Sequence, residues 1–341
     1  MSVTIKDIAT RLDLNFSSVS RALNNKPGVS EKTRKLVEKT AKDMGYQPNT
    51  LAKGLVSKNT NTIGVIMPDI INPVFGEITT GVIQTAKDHG YDTFICITNW
   101  DEKKEEEYLH TLLEKQVAGI IAKTVNNSFS KLFSSAEVPI VGFESWHGTQ
   151  AFSSVESDNI MAGRLAGEHL KECGYKHPVL LPGPENSIAA LQRSEGFFQS
   201  YNNIEDKSCK SMIFYGDYNI DSGYESFSHI IETHPETDAV MAGNDVIALG
   251  VLKYLNEHKI KEGKDIGVIG FDDITVSRLP NIDLTTVKQP KYSIGRIMTN
   301  LLLEEVDCIN KGLSYYPQRI LLEPSLIIRK TTRKKKNPAK S

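Results

Sequence analysis

Two different spacings of apolar residues divide the chain into a short helical part and a long part of alternating strands and helices. One buried helix face is indicated near the N-terminus by apolar residues every three or four positions, namely Ile5, Ile8, Ala9 and Leu12. From residue 62 onward, short apolar runs alternate with longer stretches of helical spacing. The pattern therefore predicts a small all-α domain followed by a larger α/β domain.

The N-terminal part is predicted to contain three short helices. Thr4 is the expected N-cap of the first helix, and Asn15 begins a second over residues 16–23. Ser30 begins a third helix that runs to Met44. Two short helices across a tight turn form a helix-turn-helix, whose second helix enters the major groove of DNA. The same helix pair also occurs in ordinary bundles, so the spacing alone leaves both interpretations open.

The α/β part is predicted to contain two consecutive series of strands and helices. Strands are expected over residues 62–68, 91–98, 119–122, 138–143, 178–181, 211–215, 239–241 and 266–270. Helices are expected over residues 74–89, 102–115, 159–172, 188–201, 222–232 and 246–258. Such alternation is typical of parallel sheets covered by helices on both faces. Two series predict two doubly wound lobes, with a ligand held between them at the carboxyl ends of the strands.

Composition then narrows the class of protein. Of 341 residues, 39% are hydrophobic and 24% are charged, values that exclude a disordered or collagen-like chain. No apolar run is long enough to span a membrane, and the first residues lack the apolar core of a signal peptide. The four cysteines, at positions 96, 173, 209 and 308, form no CxxC pair. We therefore expect a cytoplasmic protein with reduced thiols.

Charge is distributed unevenly along the chain. Residues 1–62 carry 11 basic and 5 acidic side chains, and residues 329–341 carry 7 basic and no acidic ones. The rest of the chain holds 22 basic and 37 acidic side chains, a net charge of −15. A basic N-terminal part on an acidic body indicates a small module that binds a polyanion such as nucleic acid.

Four short motifs at fixed spacing favour the DNA-binding interpretation. They are Val3–Ala9 (VTIKDIA), Ser18–Asn24 (SVSRALN), Val29–Arg34 (VSEKTR) and Gly45–Asn49 (GYQPN). With this set, the first fifty or so residues resemble the DNA-binding head of the lac repressor (LacI/GalR) family. The resemblance extends over the α/β part, and there it implies a two-lobed core similar to the periplasmic binding proteins, with two doubly wound parallel sheets.

The resemblance implies four segments in the chain. They are a helix-turn-helix head over residues 1–47, a hinge helix and linker over 48–60, a two-lobed effector-binding and dimerisation domain over 61–328, and a basic tail over 329–341. The tail is expected to be disordered, because it consists almost entirely of charged and small polar residues.

The resemblance also implies which residues contact DNA. Phe16 and Ser17 match the pair that sets operator specificity, and Arg21 matches a guanine reader, because a guanidinium binds O6 and N7 together. Residues 48–58 have the pattern of a marginal helix, which would be too short to persist in water by itself. On pattern alone, a plain linker is the alternative. By the resemblance they form a hinge helix on DNA, with Leu55 inserted between base pairs. The residues expected at the DNA are Thr4, Phe16, Ser17, Ser20, Arg21, Asn24, Asn49, Ala52 and Leu55.

Polar and aromatic residues that follow the predicted strands are the candidates for a ligand site. Sugar hydroxyls bind planar carboxylate, amide and guanidinium groups, and aromatic rings pack on the apolar face of a sugar. The candidate effector-binding residues are Asp69, Phe75, Glu144, Trp146, Arg193, Tyr218, Asn244 and Asp272. The resemblance singles out four of them, Glu144, Arg193, Asn244 and Asp272. Capping of the following helix is the alternative role, and Asp245 is expected to act in this way.

The function expected from these features is that of an effector-gated transcriptional repressor. The chain has no phosphate-binding loop, serine-hydrolase elbow or zinc-protease motif, so we expect no catalytic residue, metal or cofactor. The expected partners are a pseudopalindromic DNA operator, a second copy of the chain, and a sugar or sugar phosphate. The alternatives are a corepressor-dependent regulator that responds to a purine or another metabolite, a sugar-binding protein without regulatory output, and an enzyme on a similar fold. The last two leave the basic N-terminal part unexplained.

Overall fold

The chain forms two compact units that divide between Thr60 and Asn61. The computed structural model describes residues 3–46, 60–124, 138–143, 152–201 and 212–334. We call the first unit the head and the second the core domain. No helix in these residues is both long and apolar enough to cross a membrane.

Ten α-helices and eleven strands are present in the described ranges. The helices are α1 Ile5–Leu12, α2 Phe16–Leu23, α3 Glu31–Asp43, α4 Pro73–Asp88, α5 Glu102–Glu114, α6 Asn159–Cys173, α7 Ile188–Tyr201, α8 Ile220–Thr233, α9 Asp245–Glu257 and α10 Lys291–Asn310. The strands are β1 Thr62–Met67, β2 Asp92–Ile97, β3 Gly119–Ala122, β4 Ile140–Phe143, β5 Ser153–Ser157, β6 Pro178–Leu181, β7 Ala239–Ala242, β8 Gly267–Asp272, β9 Thr285–Lys288, β10 Arg319–Leu322 and β11 Ser325–Ile327.

The head is a three-helix unit around a small apolar core. Its buried residues come from all three helices and are Ile8, Ala9, Val19, Ala22, Val37 and Ala41. Thr4 and Asp7 form a complete capping box at the start of α1, which satisfies backbone N–H groups that the helix leaves unpaired. Gly45 follows α3 with φ +68°, a conformation that glycine adopts without a steric penalty. The three predicted helices are therefore present at the expected positions.

The core domain contains two sheets, each covered by helices on both faces. The first sheet is fully parallel in the order β10-β5-β4-β3-β1-β2, with α4 and α10 on one face and α5 on the other. The second has the order β11-β9-β8-β7-β6, with α6 and α7 on one face and α8 and α9 on the other. We call these layers the first and second lobes. The expected pair of doubly wound sheets is confirmed, although β11 pairs antiparallel with β9.

The chain passes between the two lobes three times. It leaves the first sheet after β5, returns to the first lobe between β9 and α10, and crosses again between β10 and β11. The lobes are therefore not simply consecutive halves of the sequence, as two successive series of elements would imply.

Several elements of the core domain differ from the sequence prediction. The strand predicted over residues 211–215 is reduced to one bridge, in which Ile213 pairs with Leu180; residue 211 itself lies outside the described residues. Strand β5 has the sequence SSVES and was not expected, because four of its five residues are polar although all five are buried. The elements β9, α10, β10 and β11 also lie beyond the last predicted strand.

The expectation of a disordered tail from residue 329 is wrong for residues 329–333. Thr331 is wholly buried, and its Oγ1 donates to the carbonyl of Val268 at 2.7 Å. The N–H groups of Val268 and Thr285 donate to the backbone oxygen and to Oγ1 of Thr331, at 2.8 Å each. Buried backbone groups require such partners, and this segment supplies them at the end of the β8–β9 pair. Residues 335–341 lie outside the described residues.

Candidate functional site

The exposed side of α2 carries the residues expected to read DNA. Asn15 caps this helix, and its Oδ1 accepts from the N–H of Ser18 at 2.9 Å and from the hydroxyl of Ser17 at 2.9 Å. Val19 and Ala22 are buried against the other helices of the head and fix the rotation of α2. The opposite face is consequently directed to solvent.

Five of the predicted DNA-binding residues share that face of α2 or its end. Phe16, Ser17 and Arg21 are exposed, with 53% of the Phe16 surface accessible, whereas Ser20 and Asn24 are half-buried. The side chain of Asn24 already makes an intramolecular hydrogen bond, because its Nδ2 donates to the carbonyl of Ser20 at 2.8 Å. An exposed phenylalanine and an exposed guanidinium on one face can supply one apolar and one bidentate contact to base edges.

Of the remaining DNA-binding candidates, only Thr4 lies among the described residues. Thr4 is exposed, and its hydroxyl and N–H both donate to Asp7 Oδ2, at 2.7 Å and 2.8 Å. These bonds lower the pKa of Asp7, which is held as a carboxylate at the start of α1. Asn49, Ala52 and Leu55 lie outside the described residues.

Arg193 is the centre of the polar cluster in the second lobe. It is 5% exposed, its Nε donates to Asn159 Oδ1 at 2.9 Å, and its Nη1 donates to the carbonyl of Gly243. Its guanidinium carbon lies 3.5 Å from the centroid of the Phe271 ring. Nη2 has no hydrogen-bond partner among the described residues, so one edge of the guanidinium fork is available to a ligand.

Asp272 ends strand β8 beside this guanidinium. Its Oδ1 accepts from Gln289 Nε2 at 2.6 Å, and its Oδ2 has no partner among the described residues. Burial raises the pKa of the Asp272 carboxyl to about 7, although the charges of Arg193 and Lys291 oppose the rise. The carboxylate therefore titrates near neutral pH, as carboxyl groups at functional sites commonly do.

The backbone of Asp272 and Asp273 is strained. Their φ angles are +116° and +52°, values that non-glycine residues rarely adopt and that cost roughly 1–3 kcal/mol each. Asp273 does not face the ligand candidates, because its carboxylate pairs with Arg329 at 2.6 Å and Arg278 at 2.9 Å. Although burial alone would raise it, these hydrogen bonds and charges lower the pKa of Asp273.

Asn244 takes the capping role that was expected of Asp245. Asn244, not Asp245, is the N-cap of α9, since its Oδ1 accepts from the N–H of Ile247 at 2.8 Å. Asp245 is wholly buried and accepts from Ser277 Oγ at 2.7 Å and Thr286 Oγ1 at 2.6 Å. Burial raises the pKa of Asp245 to about 6. Asn244 Nδ2 has no hydrogen-bond partner among the described residues.

The other described effector candidates have more local roles. Tyr218 Oη lies 2.8 Å from Ser187 Oγ, and its ring covers Gly183 at the end of β6. Asp69 closes its own turn, because Oδ1 accepts from the N–H of Ile71 at 2.6 Å. Phe75 is 6% exposed and belongs to the apolar core of the first lobe. Glu144 and Trp146 lie outside the described residues.

The structure thus brings together Arg193, Asn244 and Asp272 but holds Asp69 and Phe75 in the other lobe. Phe271, Asn159 and Gln289 orient this cluster and were not predicted. Each is a common core or loop residue, and its contact with the cluster arises only from the tertiary fold.

Trp100 was also not predicted, although the rule used for the other strands applies to it. It follows β2, is 48% exposed, and its ring centroid lies 6.1 Å from that of Phe75. Asn99 and Trp100 both have positive φ angles, +53° and +61°. The arrangement gives the first lobe an aromatic surface next to Phe75.

These residues provide hydrogen-bonding and packing groups rather than reactive ones. A planar guanidinium edge, an amide and a carboxylate oxygen are suited to a polyhydroxylated ligand. Within the described residues there is no group of three or more His, Cys, Asp or Glu side chains that could hold a metal ion.

Two family models match this chain. The model described as "Bacterial regulatory proteins, lacI family" matches residues 4–49. The model described as "Periplasmic binding proteins and sugar binding domain of LacI family" matches residues 60–322.

Individual relatives match over nearly the whole length. A ribose operon repressor from Halalkalibacterium halodurans is 32% identical over 330 residues, which cover 97% of each chain. The lac repressor dimer bound to operator and the anti-inducer ONPF is similar with a TM-score of 0.85 and 25% identity, covering 98% of this chain and all of that one. A LacI family transcriptional regulator from Enterococcus faecalis with bound ribose gives a TM-score of 0.69 at 25% identity, covering 81% of this chain and all of that one.

Proposed function

The chain belongs to the LacI family of bacterial regulatory proteins, and we propose that it is a sequence-specific DNA-binding repressor whose operator affinity is controlled by a sugar. The observation that carries this proposal is the presence in one chain of an exposed reading face on α2 and a buried guanidinium–carboxylate cluster in the core domain. A sugar-binding protein without regulatory output would not require the first feature, and an enzyme would require reactive groups instead of the second.

We propose that the DNA contacts are made by a homodimer. Two copies present two helix-turn-helix units to the half-sites of a pseudopalindromic operator, with α2 in the major groove. Arg21 reads a guanine, and Phe16 makes an apolar contact such as one with a thymine methyl group. The protein then acts in the cytoplasm, where its operator lies.

The effector proposed for the core domain is a sugar such as ribose or a related pentose. The ribose operon repressor and the ribose-bound regulator among the similar proteins support this class. Arg193 and Asp272 are proposed to bind its hydroxyl groups, and Trp100 to contact its apolar face. Loss of either polar group would leave ligand hydroxyls unpaired, at a cost of about 1–3 kcal/mol each.

Ligand binding between the lobes is proposed to change their relative orientation and so to alter the affinity for DNA. Such coupling between two sites is typically worth about 1–3 kcal/mol. A sugar that weakens operator binding is an inducer, and one that strengthens it is a corepressor. We propose that the sugar acts as an inducer and weakens operator binding.

The proposal is tested by selecting genomic fragments that the purified full-length protein retains. A gel shift with a selected fragment should show saturable binding, and added D-ribose should weaken it. A protein that retains no fragment above a scrambled DNA of equal length would not be a DNA-binding regulator. Retention without a response to D-ribose or related pentoses would leave DNA binding intact and reject the sugar assignment.

The hinge assignment has a separate test. Leu55→Ala should weaken binding to the selected fragment but not to scrambled DNA, because the elastic cost of a bent site, about 1–6 kcal/mol, is repaid by contacts that the wedge permits. Equal binding by Leu55→Ala and the unchanged protein would return residues 48–60 to a plain linker.

A further inference from the structure

Lys291 is a buried lysine at the first position of α10, on the segment that crosses between the lobes. Its side chain is only 2% exposed. Burial of an ammonium is unfavourable, and a positive charge in the first turn of a helix also opposes the helix dipole. Both costs require specific compensation by partners.

Those partners come from both lobes. Nζ donates to the carbonyls of Asp272 and Asp273, the second at 3.1 Å, and these residues form the strained turn that ends β8 in the second lobe. Nζ also lies 3.3 Å from Glu77 Oε1, on α4 of the first lobe. An ammonium has three donors, and three acceptors surround it here.

The same crossing segment holds the turn through a second contact. Gln289, two residues earlier, donates to the carboxylate of Asp272 at 2.6 Å. Pro290 between them restricts the backbone, so the two side chains reach the turn from a stiff segment. The turn is therefore connected to the start of α10 and, through the ammonium, to Glu77.

We propose that Lys291 is a positioning residue that holds the Asp272–Asp273 turn and links its state to α4 through Glu77. The inference rests on the proposed function, because it assigns an output to the proposed effector site. Lys291 does not contact the ligand in this assignment. It fixes the backbone from which the Asp272 carboxylate projects.

The first test uses hydrogen exchange on the full-length, ligand-free protein. K291M should speed exchange of the Asp273 and Ile274 amides about tenfold or more, since a lost charge-assisted hydrogen bond is worth at least one such factor. E77Q, which touches nothing in the turn, should also speed exchange there. In the K291M background, E77Q should have no further effect.

The double-variant comparison separates this assignment from simple loss of packing. K288M removes an exposed lysine three residues earlier and should leave exchange at the turn unchanged. The link is contradicted if E77Q alone does not speed amide exchange at the turn. It is also contradicted if E77Q speeds this exchange as much in the K291M variant as in the unchanged protein. If K291M does not fold, K291Q, whose amide still donates to one carbonyl, takes its place.

A second test measures the response of DNA binding to D-ribose. E77Q should still bind D-ribose, and at saturating D-ribose the change in its affinity for the selected DNA fragment should be about threefold smaller than in the unchanged protein. A full shift in E77Q overturns the proposal. If D-ribose binds neither protein, the sugar assignment fails, while the exchange experiment still decides the role of Lys291.

Discussion

The guanidinium of Arg193 lies over the ring of Phe271, with its central carbon 3.5 Å from the ring centroid. Phe271 is wholly buried in the second lobe and immediately precedes Asp272. The contact therefore holds the guanidinium next to the Asp272 carboxylate. Together with the bond to Asn159, it removes rotational freedom that a ligand would otherwise have to restrict on binding.

Arg193→Lys tests this pre-orientation. Lysine keeps the charge but cannot bond to Asn159 and Gly243 at once while stacking on Phe271, since it lacks the planar fork. We expect D-ribose binding to weaken about tenfold or more, as loss of one charged hydrogen bond of about 1.5–3 kcal/mol would require. Calorimetric titration measures it, and Arg164→Lys, an exposed position on α6, is the control. Equal affinity of the two variants for D-ribose would show that Arg193 does not bind the sugar.

Arg21→Ala tests the reading face of α2. Because Arg21 is exposed and outside the apolar core of the head, the melting temperature should stay unchanged. Affinity for the selected operator should fall by about 1–3 kcal/mol, the value of one bidentate base contact. Lys39→Ala removes an equal charge from an exposed position on α3 and controls for electrostatics. A loss that is the same on scrambled DNA would identify Arg21 as a phosphate contact.

Two truncations test whether residues 329–334 contribute to the free energy of unfolding. Deletion of residues 335–341 should leave the free energy of unfolding unchanged. Deletion of residues 329–341 also removes the hydrogen bonds of Thr331 and Thr332 and the Arg329–Asp273 pair. At about 1 kcal/mol for each buried bond, we expect a loss of about 3–5 kcal/mol in urea unfolding. Indistinguishable unfolding curves for the two deletions would contradict the packing of this segment.

Glu305→Gln should flatten the pH dependence of stability. Glu305 is buried on α10, its Oε1 accepts from Ser153, and its Oε2 is without a partner in the described part of the chain. Burial raises its pKa from 4.5 to about 7. The folded protein thus retains a proton that the unfolded chain has lost, so the free energy of unfolding falls as pH rises through this window.

The expected gain appears above that window. At pH 8 Glu305→Gln should be more stable than the unchanged protein by about 1–3 kcal/mol, with little difference near pH 4. Asp245 and Asp272 titrate in both proteins, so the difference between the two curves reports Glu305. Glu114→Gln, at an exposed position on α5, should show no such gain. Parallel curves for Glu305→Gln and the unchanged protein would mean that the carboxylate is solvated.

The sequence predicted those parts of the fold that local spacing determines. The caps at Thr4, Asn15 and Ser30 are each placed by a short side chain that bonds to a backbone N–H within three residues. Arg193, on the helix that follows β6, and Asp272, at the end of β8, could be proposed from the sequence because ligand groups collect near strand ends, and their part in binding stays a prediction. Strand β5 could not, because Ser153 and Glu156 are polar and their partners Glu305 and Arg319 lie more than 150 residues away in the sequence.

The role of Lys291 lay beyond the reach of sequence reasoning for the same reason. Nothing in the local sequence around Gln289 and Pro290 marks a buried ammonium. Its acceptors stand at positions 77, 272 and 273, and only the assembled lobes bring them together. Asn244 is the opposite case, since its capping bond to Ile247 is local and could have been predicted from the sequence.

The pairing of β5 with β10 has a consequence for how the chain matures on the ribosome. Ser154 lies opposite Arg319 in this pairing. Strand β10, which completes the edge of the first sheet, is therefore synthesised after almost all of the second lobe. Helix α10, which supplies Ile294, Met298 and Leu302 to the first-lobe core, is also made late. The nascent first lobe therefore exposes an open strand edge and an uncovered apolar face while translation continues. Because segments of the first lobe lie on both sides of most of the second in the sequence, no single cut in the gene releases either lobe as a complete unit.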